Sequence, residues 1–279
     1  MTEKVCVVTG ASSGIGRATA MELARMGATV ALVCRNRERA EETRAAILAK
    51  TGNPAIEVFL ADLSSLAEIR RLAHELLARY SHIHVLVNNA GIFNWRRATT
   101  VDGIEAVFAV NHMAYFLLTH LLLERLMASA PARIVNVASD AHRWGALTVD
   151  DLQHERSYRP LLVYGRSKLC NILFTRELAR RIRGAGVTVN CVHPGGVATG
   201  LGKNNGWLAV VIATALKPFI LSSEQGADTV VYLATAPEVE GVSGKYFVKR
   251  QERQPSAAAL SSEVAQRLWQ VSAELVGKV

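Results

Sequence analysis

The feature that most constrains this fold is the alternation of short, wholly apolar runs with longer runs that have helical periodicity. The apolar runs have strand length, and they lack the polar–apolar alternation of a half-exposed strand. We therefore expect them to be covered on both faces, as parallel strands are. Six repeats of strand and helix predict an α/β fold with a doubly wound parallel sheet and helices on both faces. The predicted strands are KVCVVTG (4–10), ATVALVCR (28–35), AIEVFLADL (55–63), VLVNNAG (85–91), RIVNVAS (133–139) and VTVNCVHPG (187–195).

Helices are predicted between these strands and after the last of them. No linker or low-complexity stretch interrupts the pattern, so we predict a single Rossmann-fold domain over 1–279. The predicted helices lie at 15–26, 37–50, 65–80, 101–127, 160–184, 223–235 and 261–276. One further short strand is predicted at 245–249.

Composition and charge narrow the function classes. The chain has 279 residues, is 50% hydrophobic and carries a formal net charge of +8. Aromatic residues make up only 6% and no dense Lys/Arg run occurs, which argues against a nucleic-acid groove. A phosphorylated cofactor, an anionic surface or solubility would each explain the excess of positive charge. The four cysteines form no CxxC pair and the histidines are scattered, so we predict reduced, buried thiols and no metal site.

Membrane segments are not expected. The first strand follows residue 1 almost at once, which leaves no room for a signal peptide or anchor. The most apolar later stretch, 207–221, is shorter than the roughly 20 residues of a spanning helix and is broken by Lys217–Pro218. We predict a cytoplasmic protein, and peripheral membrane contact stays open.

A glycine-rich turn follows the first predicted strand. The segment TGASSGIG (9–16) has glycines at the spacing G-x3-G-x-G and leads directly into a helix. Glycine allows a tight turn and close approach of a ligand to the backbone, and the helix start offers free N–H groups to a pyrophosphate. The turn predicts a dinucleotide site, and the residues assigned to it are Gly10, Ser12, Ser13, Gly14, Ile15 and Gly16.

The end of the second strand discriminates between the two nicotinamide cofactors. An acidic residue in this place would hold the ribose hydroxyls of NAD. The chain has Arg35 and Asn36 there instead. A guanidinium can hold a 2′-phosphate that a carboxylate would repel, so we predict NADP(H) in preference to NAD(H). The alternative is that Arg35 only lies at the start of a solvent-exposed helix and binds no cofactor.

Other strand ends lie on the same edge of the predicted sheet. The carboxyl ends of parallel strands form the ligand crevice of such folds, so we assign their residues to the cofactor as well. These residues are Asp62, Leu63, Asn89, Ala90, Gly91, Pro194, Gly195, Val197 and Thr199.

Four polar residues are candidates for chemistry. Tyr164 and Lys168, in YGRSK, lie four apart and so share one helical face, while Ser139 closes the fifth strand and Asn111 lies inside an apolar helix. Each also has a structural interpretation: an exposed Tyr–Lys pair, a turn serine and a satisfied core amide. Together, and downstream of a dinucleotide turn, they indicate an active site.

In these residues the chain resembles the short-chain dehydrogenase/reductase family nearly from end to end. TGASSGIG, NNAG, Asn111, Ser139, Tyr-x-x-x-Lys and PGGVAT follow one another in the order of that family. NVASDAH and the 24 residues between Ser139 and Tyr164 are most similar to the retinol-dehydrogenase branch. We expect the chain to differ from the anchored members of that branch by lacking an amino-terminal membrane segment, which leaves a retinoid substrate and an endoplasmic-reticulum address open.

The resemblance implies an NADP(H)-dependent oxidoreductase that interconverts an alcohol and a carbonyl. Tyr164 would be the general acid or base, Ser139 would hydrogen-bond the substrate oxygen, and Asn111 would hold a water that leads from Lys168 to solvent. A free phenol has a pKa near ~10, so we expect the charge of Lys168 to lower the pKa of Tyr164. Lys168 would also hold the nicotinamide ribose.

The substrate is expected to be apolar. The segment 200–222 is rich in large apolar residues after a flexible, glycine-bearing start, which is typical of a lid over a lipophilic aldehyde, ketone or retinoid-like alcohol. A contact with a second subunit or with a membrane surface explains this segment equally well. Phe93, Trp95 and Trp144 are further candidates for the pocket wall.

Two other functions are compatible with the fold. A non-catalytic NADP-binding scaffold or sensor would keep the glycine turn but typically loses the tyrosine or lysine, and this chain has both. A sugar epimerase needs a larger substrate domain than the residues after 222 provide. The resemblance further implies a homodimer or homotetramer, and the sequence leaves open whether the helices at 101–127 and 160–184 pair subunits.

Overall fold

The computed structural model describes residues 1–144, 147, 151–196 and 221–277. In this part of the chain, eight strands form one sheet in the order β3-β2-β1-β4-β5-β6-β7-β8. All neighbouring pairs are parallel except β7 and β8, which are antiparallel. The strands are β1 (Val5–Thr9), β2 (Thr29–Cys34), β3 (Ile56–Leu60), β4 (Val85–Asn88), β5 (Ala132–Val137), β6 (Val187–His193), β7 (Tyr246–Val248) and β8 (Gln251–Glu252).

Helices separate these strands and cover both faces of the sheet, which confirms the predicted doubly wound α/β fold. The order of the strands reverses between β1 and β4, which is the switch point where such folds bind ligands. The helices are α1 (Gly14–Arg25), α2 (Arg37–Thr51), α3 (Leu66–Arg79), α4 (Ala106–Ala128), α5 (Pro160–Arg181), α6 (Ser223–Thr235), α7 (Ala257–Leu260) and α8 (Ser262–Leu275).

The two faces of the sheet bury separate hydrophobic clusters. Along β1, Val7 joins one cluster while Cys6 and Val8 join the other, as expected for side chains that alternate across a strand. Helices α3, α4, α5 and α8 supply the first cluster, and α1, α2 and α6 supply the second. Each fully buried side chain such as Leu86 contributes about 2 kcal/mol, so both faces stabilise the sheet.

The helix predicted at 101–127 begins five residues later than expected. Residues 100–104 form a turn in which Gly103 has φ +73°, and Glu105 then caps α4 by accepting the backbone N–H groups of Val107 and Phe108. Within α4, Ala109–Met113 has π-helical hydrogen bonding. Neither feature can be read from hydrophobic periodicity, because both depend on particular hydrogen bonds and not on the spacing of apolar residues.

The same helix is the one described helix long and apolar enough to cross a membrane. Ala106–Ala128 has a mean hydropathy of 1.6 over its most apolar window, and 83% of that window is buried inside the structure. A core helix of a folded protein has these properties, and α4 packs in this way against the sheet and the neighbouring helices α3 and α5.

Candidate active site

The glycine turn lies where β1 meets α1, at the carboxyl edge of the sheet. Gly10 and Gly14 have φ of +65° and +55°, a region that favours glycine. A Cβ on Gly16 would lie 2.4 Å from both the Gly10 carbonyl oxygen and Asn89 Nδ2. The Ser13 side chain makes no capping hydrogen bond to α1, which leaves the first N–H groups of that helix to a ligand. This cradle fits the pyrophosphate of a dinucleotide.

The turn after β4 packs directly against this cradle. Thr9 Oγ1 accepts the backbone N–H groups of Asn89 at 2.9 Å and Ala90 at 3.1 Å, and Asn89 Nδ2 donates to the Thr9 carbonyl at 2.8 Å. Tyr115 Oη donates to the Ala90 carbonyl at 2.8 Å. The predicted residues Asn89 and Ala90 are therefore held by hydrogen bonds beside the glycine turn, and Gly91 follows them in the chain.

The ends of β2 and β3 lie on the same edge. Arg35 is exposed, whereas Asn36 caps α2 by accepting the Arg39 backbone N–H at 2.8 Å. Asp62 accepts both the backbone N–H and the hydroxyl of Ser64, and Leu63 is buried. Asn36 and Asp62 thus have local structural partners in addition to any ligand.

The last predicted group follows β6. Pro194 is partly buried, and Gly195 has φ +89°. A Cβ on Gly195 would lie 2.4 Å from Leu221 Cδ1, so only glycine fits this turn without a shift. Val197, Thr199 and most of the predicted lid over 200–222 lie outside the described residues.

Tyr164 and Lys168 lie one turn apart on α5, as the spacing predicts. Lys168 is only 3% exposed, and its Nζ lies 5.6 Å from the centre of the Tyr164 ring. The ammonium donates to the Val137 carbonyl, at the end of β5, at 3.1 Å. The pair is therefore a buried arrangement at the edge of the sheet, which excludes the interpretation as exposed surface residues.

Burial changes the acidity of both groups. It raises the pKa of Tyr164 to about 12, opposed by a hydrogen bond from Ser139, and it lowers the pKa of Lys168 to about 7. In the polypeptide without cofactor the pKa of Tyr164 is therefore raised, and a lowering by Lys168 together with a bound, positively charged nicotinamide stays a prediction. The physical reason is loss of solvation, which is the largest effect on the phenol and which also disfavours the charge of Lys168.

Ser139 occupies the turn that follows β5. Its Oγ accepts the Ala141 backbone N–H at 3.2 Å, which leaves the hydroxyl proton for another acceptor. Because its hydrogen bond lowers the pKa of Tyr164, the serine stabilises the charged form of the phenol. Ser139 and Tyr164 are thus brought together although 24 residues separate them in sequence.

Asn111 lies in the π-helical segment of α4 and is fully buried. Its Oδ1 accepts the Ile92 N–H at 2.7 Å, and its Nδ2 donates to the Ile92 carbonyl at 3.0 Å and to Ser167 Oγ at 2.9 Å. A Cβ on Gly91 would lie 3.3 Å from Asn111 Oδ1 and 3.5 Å from Lys168 Nζ. Asn111 therefore lies close to Lys168, with both amide protons already donated within the protein.

Aromatic side chains lie beside the phenol. The Phe93 ring contacts the Tyr164 ring edge-on at 5.9 Å, and the Trp95 ring contacts Phe93 at 5.0 Å. Trp144 Cβ lies 3.6 Å from where a Cβ of Gly165 would be, and the Trp144 side chain is exposed. Of the three aromatic residues that we predict for the pocket wall, Phe93 thus contacts Tyr164 directly and Trp95 contacts Phe93, while Trp144 lies beside Gly165.

Several residues that build this site were not predicted. Gly165 admits the Ala141 carbonyl, which a Cβ would meet at 2.5 Å, and the glycine in YGRSK was the available signal. Thr9 organises the turn after β4 and stands directly before the first glycine of the motif. The Val137 carbonyl has no sequence signal, because a backbone acceptor is independent of residue type.

The chain was compared with known protein families and with curated proteins. A family model described as short chain dehydrogenase matches residues 4–206. The chain is 45% identical to retinol dehydrogenase 12 of Mus musculus, over 98% of this chain and 86% of that protein. It is 44% identical to retinol dehydrogenase 14 of Homo sapiens, over 99% of this chain and 87% of that protein.

Solved structures have the same fold. An uncharacterised protein of Mycobacterium paratuberculosis superimposes with a TM-score of 0.78 at 34% identity, covering 99% of this chain and 94% of that one. An NAD(P)-dependent gluconate 5-dehydrogenase of Beutenbergia cavernae, described as putative and solved with bound NADP at low occupancy, gives a TM-score of 0.71 at 29% identity. The superposition covers 88% of this chain and 95% of the Beutenbergia protein.

Proposed function

The chain belongs to the short-chain dehydrogenase/reductase family, on its retinol-dehydrogenase-like side, and from this premise we propose an NADP(H)-dependent enzyme with Tyr164 as its acid/base. Its reaction class is the oxidoreduction of alcohols and carbonyls. The observation that carries the proposal is the buried contact of Tyr164 with Lys168 and Ser139 at the switch-point edge of the sheet.

The nicotinamide cofactor supplies or accepts the hydride. Gly10, Gly14 and Gly16 would bind its pyrophosphate through the backbone, because their missing side chains leave the cradle open. Lys168 would bind the nicotinamide ribose with the N–H groups that Val137 does not accept. Asn89, Ala90 and Gly91 would form the wall between these two ends.

Tyr164 would give a proton to the carbonyl oxygen in reduction and take it back in oxidation. Its raised pKa keeps the phenol protonated at neutral pH, which is the form that a general acid needs. Ser139 would donate its hydroxyl proton to the substrate oxygen, where negative charge develops. Because Asn111 donates both amide protons within the protein, a water near Lys168 would have to hydrogen-bond Oδ1 or the backbone there.

NADP(H) is preferred over NAD(H) in this proposal. Arg35 stands exposed at the end of β2, where it can form paired hydrogen bonds with a 2′-phosphate. The NAD(P)-dependent protein of Beutenbergia cavernae was solved with NADP, which supports NADP as a ligand of this fold.

The substrate is an apolar aldehyde or ketone, or the corresponding alcohol. The Phe93 ring contacts Tyr164 directly, and Trp95 extends that wall outward. Aromatic walls hold apolar chains by burial and shape. The relatives from Mus musculus and Homo sapiens are named retinol dehydrogenases, which supports a lipid-like alcohol among the candidates.

A cofactor-oxidation assay tests the proposal. Purified protein is given NADPH or NADH and a series of aldehydes and ketones with increasing alkyl chain length, beside charged carbonyls of equal size. We expect NADPH oxidation that increases with chain length and is weak with charged substrates. Phe93→Ala should raise KM for the longest substrates more than for the shortest. Absence of turnover with every carbonyl, and with the alcohols in the reverse direction, would overturn the proposed function.

Cytoplasmic location and assembly as a homodimer or homotetramer stay predictions of the sequence. The buried position of α4 supports a role of this helix in the core of the fold. Size-exclusion chromatography with light scattering would measure the assembly.

A further inference from the structure

A histidine that the proposed chemistry does not use lies three residues after Ser139. His142 is fully buried in the short 3-10 helix Asp140–Trp144. Its Nδ1 lies 2.7 Å from the Ser139 carbonyl oxygen, and its Nε2 lies 3.0 Å from the backbone nitrogen of Ser256. We call these two hydrogen bonds the His142 bridge.

The two partners determine the protonation of the ring. A backbone N–H only donates, so Ser256 requires an Nε2 without a proton. A carbonyl oxygen only accepts, so Ser139 requires a proton on Nδ1. Only the neutral Nδ1–H tautomer satisfies both, because an imidazolium would point its second N–H at the N–H of Ser256.

The bridge holds the turn that carries Ser139. The Ser139 carbonyl accepts the His142 backbone N–H at 3.1 Å as well as the ring N–H. On the other side of the turn, the Ala141 carbonyl packs into the space left open by Gly165 of α5. Arg143 adds a second link by donating to the Gln254 carbonyl at 2.8 Å. The turn is therefore fixed between α5 and the segment before α7.

We infer that His142 is a positioning residue that fixes the Ser139 hydroxyl against Tyr164 by joining the Ser139 turn to the carboxyl-terminal segment at Ser256. The inference rests on the proposed function, in which Ser139 contacts the substrate oxygen. It assigns a catalytic consequence to a segment that is more than 100 residues later in the chain and contacts no reacting group.

Charged and titratable groups surround the imidazole from several elements. Asp140 and Arg143 stand beside it on the same short helix, His193 lies at the end of β6, and the Tyr246 ring of β7 contacts it edge-on at 5.2 Å. Burial lowers the pKa of His142, the Ser139 carbonyl and Asp140 raise it, and Arg143 and His193 lower it. The ring is thus neutral at pH 7, and acidification below its lowered pKa breaks the bond to Ser256.

Two variants of His142 distinguish the hydrogen bond to Ser139 from the hydrogen bond to Ser256. His142→Asn keeps a short N–H donor toward Ser139 but does not reach Ser256. His142→Phe keeps the ring volume against Tyr246 and loses both bonds. His84→Phe is the matched control, because His84 Nδ1 accepts a backbone N–H of similar length, from Val5 at 3.1 Å, at the opposite edge of the sheet.

Three measurements are made on the full-length protein. Nitrogen NMR of labelled histidines reports the tautomer of residue 142, assigned by its loss in His142→Asn. Hydrogen exchange of a peptide that spans 139–144 reports the rigidity of the turn. Steady-state kinetics give kcat and the KM for NADPH as functions of pH.

We expect an Nδ1–H tautomer in the wild type and faster exchange of the 139–144 peptide in both His142 variants, but not in His84→Phe. We expect kcat to fall about 10- to 100-fold in His142→Phe and less in His142→Asn, with an unchanged KM for NADPH. The acid limb of kcat due to His142 should be absent in both variants.

The outcomes that would overturn the bridge, the positioning role and the proposed function can be told apart. An Nε2–H tautomer, or equal exchange in His142→Phe and His84→Phe, would overturn the bridge whether or not the enzyme turns over. Faster exchange with unchanged kcat in an active enzyme would overturn the positioning role. An inactive wild type would overturn the proposed function, and the tautomer and exchange data would still decide whether the bridge exists.

Discussion

The two ends of the candidate site are built in different ways. The cofactor end is a contiguous turn, 9–16, whose properties come from missing side chains: a Cβ on Gly16 would overlap the backbone of Gly10. The chemical end takes Ser139, Tyr164 and Lys168 from two elements and depends on side chains that burial has altered. The cofactor end, which is formed by backbone, has no space for an added side-chain atom. The chemical end, which is formed by side chains, depends on the electrostatic surroundings of those side chains. The four substitutions below test that distinction.

The largest effect is expected at Tyr164. Tyr164→Phe removes one hydroxyl and should lower kcat by about 10³-fold or more, because the phenol is the group that we propose transfers the proton. Binding of NADPH, measured by fluorescence titration, should stay near the wild-type value. Tyr158→Phe is the control: it removes a hydroxyl that donates to the Asn94 carbonyl at 3.0 Å. Equal losses in the two variants would remove Tyr164 from its role.

The second-largest effect is expected in the glycine turn that forms the pyrophosphate cradle. Gly16→Ala places a methyl group 2.4 Å from the Gly10 carbonyl oxygen, so the turn must open and the Kd for NADPH should rise about a hundredfold. The control Gly52→Ala strains a left-handed residue, φ +69°, at the end of α2, where an added Cβ meets nothing within 4 Å. Both variants should be less stable than the wild type, as measured by thermal unfolding. Only Gly16→Ala should bind NADPH more weakly. Undiminished binding in Gly16→Ala would show that the cradle does not hold the pyrophosphate.

A smaller and more selective effect is expected at Arg35. Loss of charged hydrogen bonds of about 2 kcal/mol should raise the Kd for NADPH about thirtyfold in Arg35→Ala and leave the Kd for NADH unchanged. Arg39→Ala, an exposed arginine in the first turn of α2, is the control. If Arg35→Ala weakens both cofactors equally, or neither, the residue does not select NADP.

The last effect is on stability, not on turnover or cofactor binding, and it concerns the chemical end. Burial lowers the pKa of Lys168 to about 7, whereas the unfolded chain keeps a value near 10.5. Between these two values the unfolded state binds more protons, so stability rises with pH by up to about 1.4 kcal/mol per pH unit. Urea unfolding of the cofactor-free protein between pH 7.5 and ~9.5 should therefore show a steeper rise in the wild type than in Lys168→Met. Parallel curves would mean that Lys168 is solvated and the site is open.

Much of the cofactor end was predictable because its determinants are local. A glycine turn between an apolar strand and a helix predicts its own conformation, and parallel strands necessarily bring their carboxyl ends to one edge. The positions of Asn89, Gly91 and Gly195 follow from that geometry alone. Periodicity placed α4 five residues too early, since the start of the helix is set by one side chain, Glu105, which accepts two backbone N–H groups.

The sequence by itself determined the doubly wound sheet, the edge that carries the site and the identity of the polar residues gathered there. Only the tertiary structure decided the acidity of those residues and the contacts that hold them. The pKa of Tyr164 rises although a lysine lies beside it, and the Ser139 turn is tied to Ser256 through His142. The physical reason is that solvation and hydrogen bonding depend on atoms from distant parts of the chain, which spacing along a sequence does not specify.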